Sequence, residues 1–177
     1  SAFYACSNLN QINVDTANTA YSSENGVLFN KGKTELIRYP AGKADASYAI
    51  PNSVTSIDSG AFEGCSSLTS ITIPDGVTSI CTFAFSSCSS LTNIALPNSV
   101  TSIGYSAFSD CSSLTNIALP NSIISIGNYA FDDCTALKDV YYSGTEEQWN
   151  AIDIIWSNYK NGGNNDVLQK EGVVDYN

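Results

Sequence analysis

The chain has 177 residues, of which 43% are hydrophobic and only 14% are charged; this length suits one domain or one stretch of a longer array. The net charge of −10 disfavours binding to nucleic acid or to an anionic membrane surface, since both would repel the chain. Histidine is absent, which excludes Ser-His-Asp and Cys-His catalytic arrangements and histidine-ligated metals. We find no signal peptide and no apolar run of transmembrane length, and we expect a monomeric fragment of a longer chain without direct membrane insertion.

Residues 1–13 are predicted to be a partial copy of a 23-residue repeat that continues from residue 50. Four apolar residues in this segment have the same spacing as four residues of the first full copy. The two sets are Phe3, Cys6, Leu9 and Ile12, and Phe62, Cys65, Leu68 and Ile71.

Residues 14–49 form an insertion in which two β-prone runs, 27–29 and 34–39, flank a glycine-containing turn and predict a β-hairpin. The insertion carries four basic residues, whereas residues 50–137 contain no Lys or Arg. These basic residues are Lys31, Lys33, Arg38 and Lys43. The sequence therefore predicts a positive flap on an acidic body. The flap is either a solvated hairpin that extends a sheet or a loop that contacts a ligand.

Residues 50–141 contain four full repeats without a gap. The apolar and proline columns of the repeat keep a fixed 23-residue spacing; the prolines are Pro51, Pro74, Pro97 and Pro120, and the phenylalanines are Phe62, Phe85, Phe108 and Phe131. The residue pattern of each unit predicts one strand before the proline, a second short strand after it, and a short helical turn around the phenylalanine. No unit can bury its apolar face alone, so stacked units are predicted to share one core in which the phenylalanines stack.

Residues 142–177 are predicted to cap the solenoid. Thr145 to Gln148 fits a helix capping box, and Trp149, Ile152 and Ile155 are predicted to share one helical face. Trp156 has no firm assignment, and residues 160–166 are predicted to form a loop.

The repeat pattern L-x-x-I-x-I-P-x-x-V-x-x-I-x-x-x-A-F-x-x-C-S-S resembles the BspA-like leucine-rich repeats. The match covers residues 50–141 and 2–13, and the insertion and the ending Val140 to Trp149 also look like recurring parts of these proteins. The resemblance implies a right-handed leucine-rich repeat solenoid with a parallel sheet on its concave face. It also implies a bacterial protein that is secreted or displayed at the cell surface, of a type often proposed to act in adhesion.

Five of the six cysteines share one repeat position: Cys6, Cys65, Cys88, Cys111 and Cys134. Equivalent inward side chains on stacked coils lie about one coil spacing apart, too far for a disulfide, and do not converge on a metal. We therefore predict a column of buried free thiols, with Cys81 more exposed.

No cofactor, metal site or enzymatic activity is predicted, because the carboxylates fit turns and outer faces and no pocket-forming segment surrounds them. A calcium ion at Asp110, Asp132 and Asp133 is a minor alternative, although the EF-hand pattern is missing.

Solenoids usually bind through the sheet face, and the outward positions there are mostly small and neutral. The candidate partner-binding residues are therefore Asn93, Asn116, Asp139 and Tyr141 on the sheet, and Lys31, Lys33 and Arg38 on the flap. Phe83, Tyr105 and Tyr129 are candidates for exposed aromatic residues elsewhere. The expected function is a surface recognition or adhesion module for a protein or a glycan. The alternatives are a structural spacer with little affinity of its own and, more remotely, an intracellular interaction scaffold.

Overall fold

The computed structural model describes residues 2, 3, 5–155 and 168 and the backbone of 174–176, and shows a parallel β-solenoid of about five turns. This confirms the predicted leucine-rich repeat architecture. The strands are β1 (Tyr21–Glu24), β2 (Val27–Asn30), β3 (Glu35–Arg38), β4 (Ser47–Ala49), β5 (Ser56–Ile57), β6 (Ser70–Thr72), β7 (Ser79–Ile80), β8 (Asn93–Ala95), β9 (Ser102–Ile103), β10 (Asn116–Leu119), β11 (Ser125–Ile126), β12 (Asp139–Tyr142), β13 (Asp153–Ile154) and β14 (Val174–Tyr176). The helix α1 spans Glu146–Asn150.

Each full repeat contributes one strand to a large parallel sheet with the order β14-β12-β10-β8-β6-β4. The register places equivalent residues side by side: Ile71 pairs with Ile94 of the next coil, and Ile117 pairs with Val140. The 23-residue step of the sequence is therefore the step from one coil to the next.

The short strands β7, β9, β11 and β13 form a second parallel sheet. In the insertion, β2 and β3 pair antiparallel, which confirms the predicted hairpin, and β1 adds a third antiparallel strand that was not predicted. Strand β3 also pairs in parallel with β5, so the insertion extends the stack of coils.

The phenylalanine column lies in the core and is stacked as predicted. Ring centroids are 5.1 Å apart for Phe62 and Phe85, and 5.4 Å apart for Phe85 and Phe108 and for Phe108 and Phe131. Tyr39 of the insertion continues the stack, 5.3 Å from Phe62. The insertion thus takes the place of a coil in the core as well as in the sheet.

The segments 58–65, 81–88, 104–111 and 127–134, called the turn segments below, follow β5, β7, β9 and β11 and lead to the large sheet. They were predicted to contain a helical turn, but they form successive tight turns instead, as in the bonds from Ala84 N to Cys81 O and from Cys88 N to Phe85 O. Left-handed residues such as Phe83 (φ 56°) and Ser87 (φ 58°) interrupt each segment, because a helix cannot continue through that conformation. Main-chain bonds such as Phe85 N to Ala107 O, 2.8 Å, join each turn segment to the next.

The thiol column is confirmed for the four full repeats, where Cys65, Cys88, Cys111 and Cys134 are free and buried. Cys88 donates a hydrogen bond to the carbonyl oxygen of Phe62 at 3.2 Å, and Cys111 and Cys134 repeat this contact in the next two coils. Burial raises the pKa of Cys65 and Cys111 to about 12. The prediction was wrong for Cys6, which is exposed.

In the predicted cap, Thr145 is the N-cap of helix α1 and forms the predicted capping box with Gln148. Trp149 is buried with its ring edge-on to Tyr142, centroids 5.3 Å apart. Ile152 and Ile155 both lie beyond the helix, Ile152 buried and Ile155 half exposed, so the prediction that they share a helical face with Trp149 was wrong. Trp156 and the predicted loop 160–166 lie outside the described residues.

Candidate recognition surfaces

The sheet-face candidates lie together on the large sheet. Asn116 and Asp139 are register partners, and Tyr141 of the same strand as Asp139 is 42% exposed. Asn93 is exposed on the neighbouring strand β8. Around them the outward residues are Ser, Thr and Ala, which offer little contact area or charge to a partner.

The flap candidates belong to the other edge of the molecule, and the structure brings neither lysine to the large sheet. Lys33 forms an ion pair with Glu24 at 2.5 Å, and the Nζ of Lys31 donates to the carbonyl oxygen of Thr16 at 3.1 Å. Residues 14–49 contain four acidic residues beside the four basic ones, so their formal charge is zero. The prediction of a positive flap was therefore wrong: the insertion is neutralised by its own carboxylates.

Arg38 was predicted on the exposed flap, but it is 3% exposed. Its guanidinium donates to the carbonyl oxygens of Gly60, Glu63 and Phe3 and lies 3.8 Å from the Glu63 carboxylate. Arg38 thus ties the insertion and the leading partial repeat to the first full repeat. These contacts make it a structural residue and remove it from the ligand-contacting surface.

A groove of about 470 Å³ runs along the turn segments; we call it the serine groove. All of its lining residues belong to the four regular repeats. They are Glu63, Phe83, Ser86, Ser87, Tyr105, Ser106, Ser109, Asp110, Tyr129 and Asp132.

Three aromatic side chains from successive coils line the serine groove; we call them the outer aromatic ladder. Phe83 and Tyr105 pack edge-to-face with centroids 5.3 Å apart, and Tyr105 and Tyr129 do so at 5.7 Å. Phe83 is 38% exposed and Tyr105 is 44% exposed. A Cβ on Gly127 would lie 2.7 Å from Tyr105 N, so glycine allows the close approach of the coils that carry Tyr105 and Tyr129.

The repeat position of Phe83 and Tyr129 is left-handed in every full repeat, with Gly60 and Ser106 in the other two. A bulky side chain in this conformation costs about 1–3 kcal/mol, which glycine would avoid. Folding alone therefore does not account for the aromatic residues at this position.

The floor and ends of the serine groove are polar. Ser86 and Ser109 are buried and their hydroxyls are 2.9 Å apart. They stand in one repeat column between Glu63 and Asp132, and Asp110 is exposed beside them. The groove thus combines aromatic rings, hydroxyls and carboxylates.

A second cavity, about 940 Å³, adjoins the serine groove and shares Phe83 and Glu63 with it. Its lining is mainly apolar and comes mostly from the leading partial repeat and the insertion, including Phe3, Ile12 and Leu28, with Asp58 to Gly60 of the first full repeat. Among the described residues, no cluster of three or more Cys, Asp or Glu side chains has a metal-binding arrangement, and no helix there has the length and apolar character of a membrane span.

A model of the BspA type leucine-rich repeat region matches residues 42–151, with six copies. The chain belongs to this family. Among solved structures, the chain is similar to a leucine-rich repeat protein from Eubacterium ventriosum, at 34% identity and a TM-score of 0.69 over 79% of this chain and 44% of that one. It is also similar to a leucine rich cell surface protein from Faecalibacterium prausnitzii, at 34% identity and a TM-score of 0.73 over 86% of this chain and 46% of that one.

This BspA-type chain spans less than half the length of these two proteins. The pneumococcal vaccine antigen PcpA shares the fold at 23% identity, with a TM-score of 0.63 over 85% of this chain and 51% of that one. Among curated proteins, none matches the chain. The family and its neighbours thus establish a bacterial repeat module, a fold that generally serves as a non-enzymatic scaffold.

The sequence offered the three rings of the outer aromatic ladder as candidates for exposure, and this is confirmed for Phe83 and Tyr105, whereas Tyr129 is partly buried. The sequence did not predict the groove that they line. The available signal was the departure from the repeat: aromatic residues at a position where the first repeat has Gly60.

Proposed function

We propose that this chain is a non-enzymatic recognition module of a bacterial cell-surface or secreted protein, and that it binds a macromolecular partner, a protein or a glycan, at the serine groove. The observation that carries the proposal is the outer aromatic ladder. Tyr and Trp are among the residues that contribute most binding energy at interfaces, and here Tyr105 packs against Phe83 while both rings stay exposed. Little side-chain entropy is lost on binding when the rings are already held in place.

The likeness to a leucine rich cell surface protein supports the location at the surface. The acidic composition argues against nucleic acid as the partner. The large sheet is the alternative surface, but Tyr141 is the one large exposed anchor on it within the described residues.

The test is a binding screen of the purified chain against immobilised matrix proteins, mucins and a glycan array. Any partner found is then titrated with Tyr105→Leu and with Tyr141→Leu, which removes a ring of nearly equal exposure from the large sheet. We expect Tyr105→Leu to weaken binding about tenfold, while Tyr141→Leu leaves it unchanged. The opposite ranking would move the site to the sheet.

A structural spacer is the second candidate, and the small neutral side chains of the large sheet favour it. Absence of any partner at micromolar concentration would support the spacer over the recognition module.

A further inference from the structure

We infer that the ligand of the serine groove is an extended peptide segment rich in Lys or Arg; this rests on the proposed function and adds the chemistry of the partner. The outer aromatic ladder supplies the first argument. The faces of Tyr and Phe rings attract cations, and Arg and Lys side chains stack on them. Phe83 and Tyr105 offer that surface in a packed, partly exposed row.

Charge supplies the second argument. Asp110 is exposed in the groove, and Glu63 and Asp132 also line it. Residues 50–137 contain no Lys or Arg, so no basic side chain from this stretch offsets the charge of the exposed Asp110. Arg38, which contacts Glu63 from the insertion, is buried and offsets the charge of Glu63, so the attraction of a cation rests on Asp110. A cationic segment is therefore attracted to the groove, whereas sulfated or sialylated glycans are repelled.

Spacing supplies the third argument. An extended peptide places alternate side chains about 7 Å apart on one side. The ring centroids of the ladder are 5.3 Å and 5.7 Å apart, and flexible Lys and Arg side chains can bridge so small a difference. The exposed hydroxyl of Ser87 adds an acceptor for guanidinium or ammonium N–H groups on the groove rim. A short segment with a basic residue at every second position therefore spans the three rings.

The experiment measures the fluorescence anisotropy of a fluorescein-labelled peptide of alternating Arg and Ser, titrated with the full chain at low and physiological salt. A peptide of alternating Glu and Ser and a set of neutral oligosaccharides serve as comparison ligands. We expect the Arg peptide to bind, the Glu peptide not to bind, and the affinity to fall as salt rises.

The variants separate ring chemistry from packing. Tyr105→Leu keeps an apolar side chain without a ring and is expected to weaken peptide binding about tenfold, whereas Tyr105→Phe keeps the ring and the affinity. Asp110→Asn is expected to weaken binding about threefold at low salt and less at physiological salt. Tyr21→Leu removes a ring that is 48% exposed outside the groove, and Asp75→Asn removes an exposed carboxylate elsewhere; neither is expected to change the affinity.

Equal affinity of all variants for the Arg peptide would show non-specific attraction to an acidic protein and overturn the inference. Binding of a neutral oligosaccharide that Tyr105→Leu abolishes, with no binding of the Arg peptide, would overturn the inference and leave the proposed function standing. No binding of the Arg peptide, of any oligosaccharide or of any protein in the screen would overturn both.

Discussion

Two rows of aromatic rings run along the solenoid, one inside the coil and one outside. In the inner row, consecutive rings of Phe85, Phe108 and Phe131 are almost parallel, with interplanar angles of 8° and 3°. In the outer aromatic ladder the angles are 81° and 77°, and the rings stand partly in solvent.

The two rows differ because they arise in different ways from the sequence. The inner row repeats one residue at one position, so translation from coil to coil keeps the rings parallel. The outer row is assembled from departures: Phe83 and Tyr129 replace small residues, and Tyr105 stands one position before Ser106. Repetition thus builds the scaffold, and departures from it distinguish one surface of the molecule from the rest.

The largest expected effect is in the inner row. Phe108→Ala should cost about 3–5 kcal/mol of unfolding free energy, because it removes buried contacts and leaves a cavity between two coils. With repeats on both sides, its loss should destabilise the whole chain, whereas Phe131→Ala, beside the cap, should loosen mainly the residues after about 120. Hydrogen exchange of both variants measures this. Equal and uniform loss of protection would show one cooperative unit, and no loss would contradict the core position.

Replacing Arg38 tests whether the buried bonds of the insertion contribute more to stability than its surface charges. Arg38→Met should destabilise the chain by about 2 kcal/mol, because the carbonyl oxygens of Gly60 and Glu63 lose a charged donor. Lys31→Met is the matched control and should change stability by no more than about 0.5 kcal/mol. Urea titration measures both. A neutral result for Arg38→Met would mean that water replaces these bonds at no cost.

The thiol column predicts a loss of stability in alkali. Burial raises the pKa of the Cys65 thiol from 9.0 to about 12. Between pH 9 and pH 12 the thiol therefore keeps its proton in the folded state and loses it in the unfolded state. Stability is therefore fully present below about pH 9 and falls as the pH rises toward 12. Urea midpoints across this range should fall less steeply in a variant with Cys88→Ala and Cys111→Ala, since the buried tyrosines contribute equally to both proteins. An unchanged slope would exclude the thiols as the cause.

The outer aromatic ladder should contribute least to stability. Tyr105→Leu should lower the unfolding free energy by about 1 kcal/mol or less, since it removes edge-to-face contacts and little buried area. Thermal unfolding beside Phe108→Ala gives the comparison. A loss as large as that of Phe108→Ala would make the outer ladder part of the core and weaken its assignment as a binding surface.

Thiol labelling compares the accessibility of the exposed and buried cysteines in the native protein, without any substitution. Brief treatment of the native protein with a maleimide should modify Cys6 first and Cys81 next, because they are exposed and partly exposed, and leave the four buried thiols unmodified. Mass spectrometry of the peptides reads the order. Early modification of Cys88 would contradict the buried column.

The inner row, the sheets and the thiol column could be predicted because each depends on contacts between equivalent residues one repeat apart. Arg38 could not be placed in this way, since its partners Gly60 and Phe3 are separated from it by 22 and 35 positions and are main-chain oxygens, which no side-chain pattern reveals. Cys6 matched the column in spacing, but its place in a partial repeat leaves it exposed. The serine groove depends on left-handed backbone at Phe83 and Tyr129. This conformation cannot be predicted from the sequence where the residue is not glycine.

The near identity of neighbouring coils also bears on misfolding and on evolutionary change. Residues 89–99 and 112–122 have the same sequence, so a slip of one repeat would recreate most native contacts between coils. Correct alignment must then be selected by the parts that occur once: the Arg38 anchor at one end and the Trp149 contact at the other. By the same reasoning, gain or loss of a whole 23-residue unit by recombination would leave the core continuous. Loss of residues 93–115 would delete Tyr105 and divide the outer aromatic ladder. The number of repeats is therefore expected to vary during evolution only where no ligand depends on these rings.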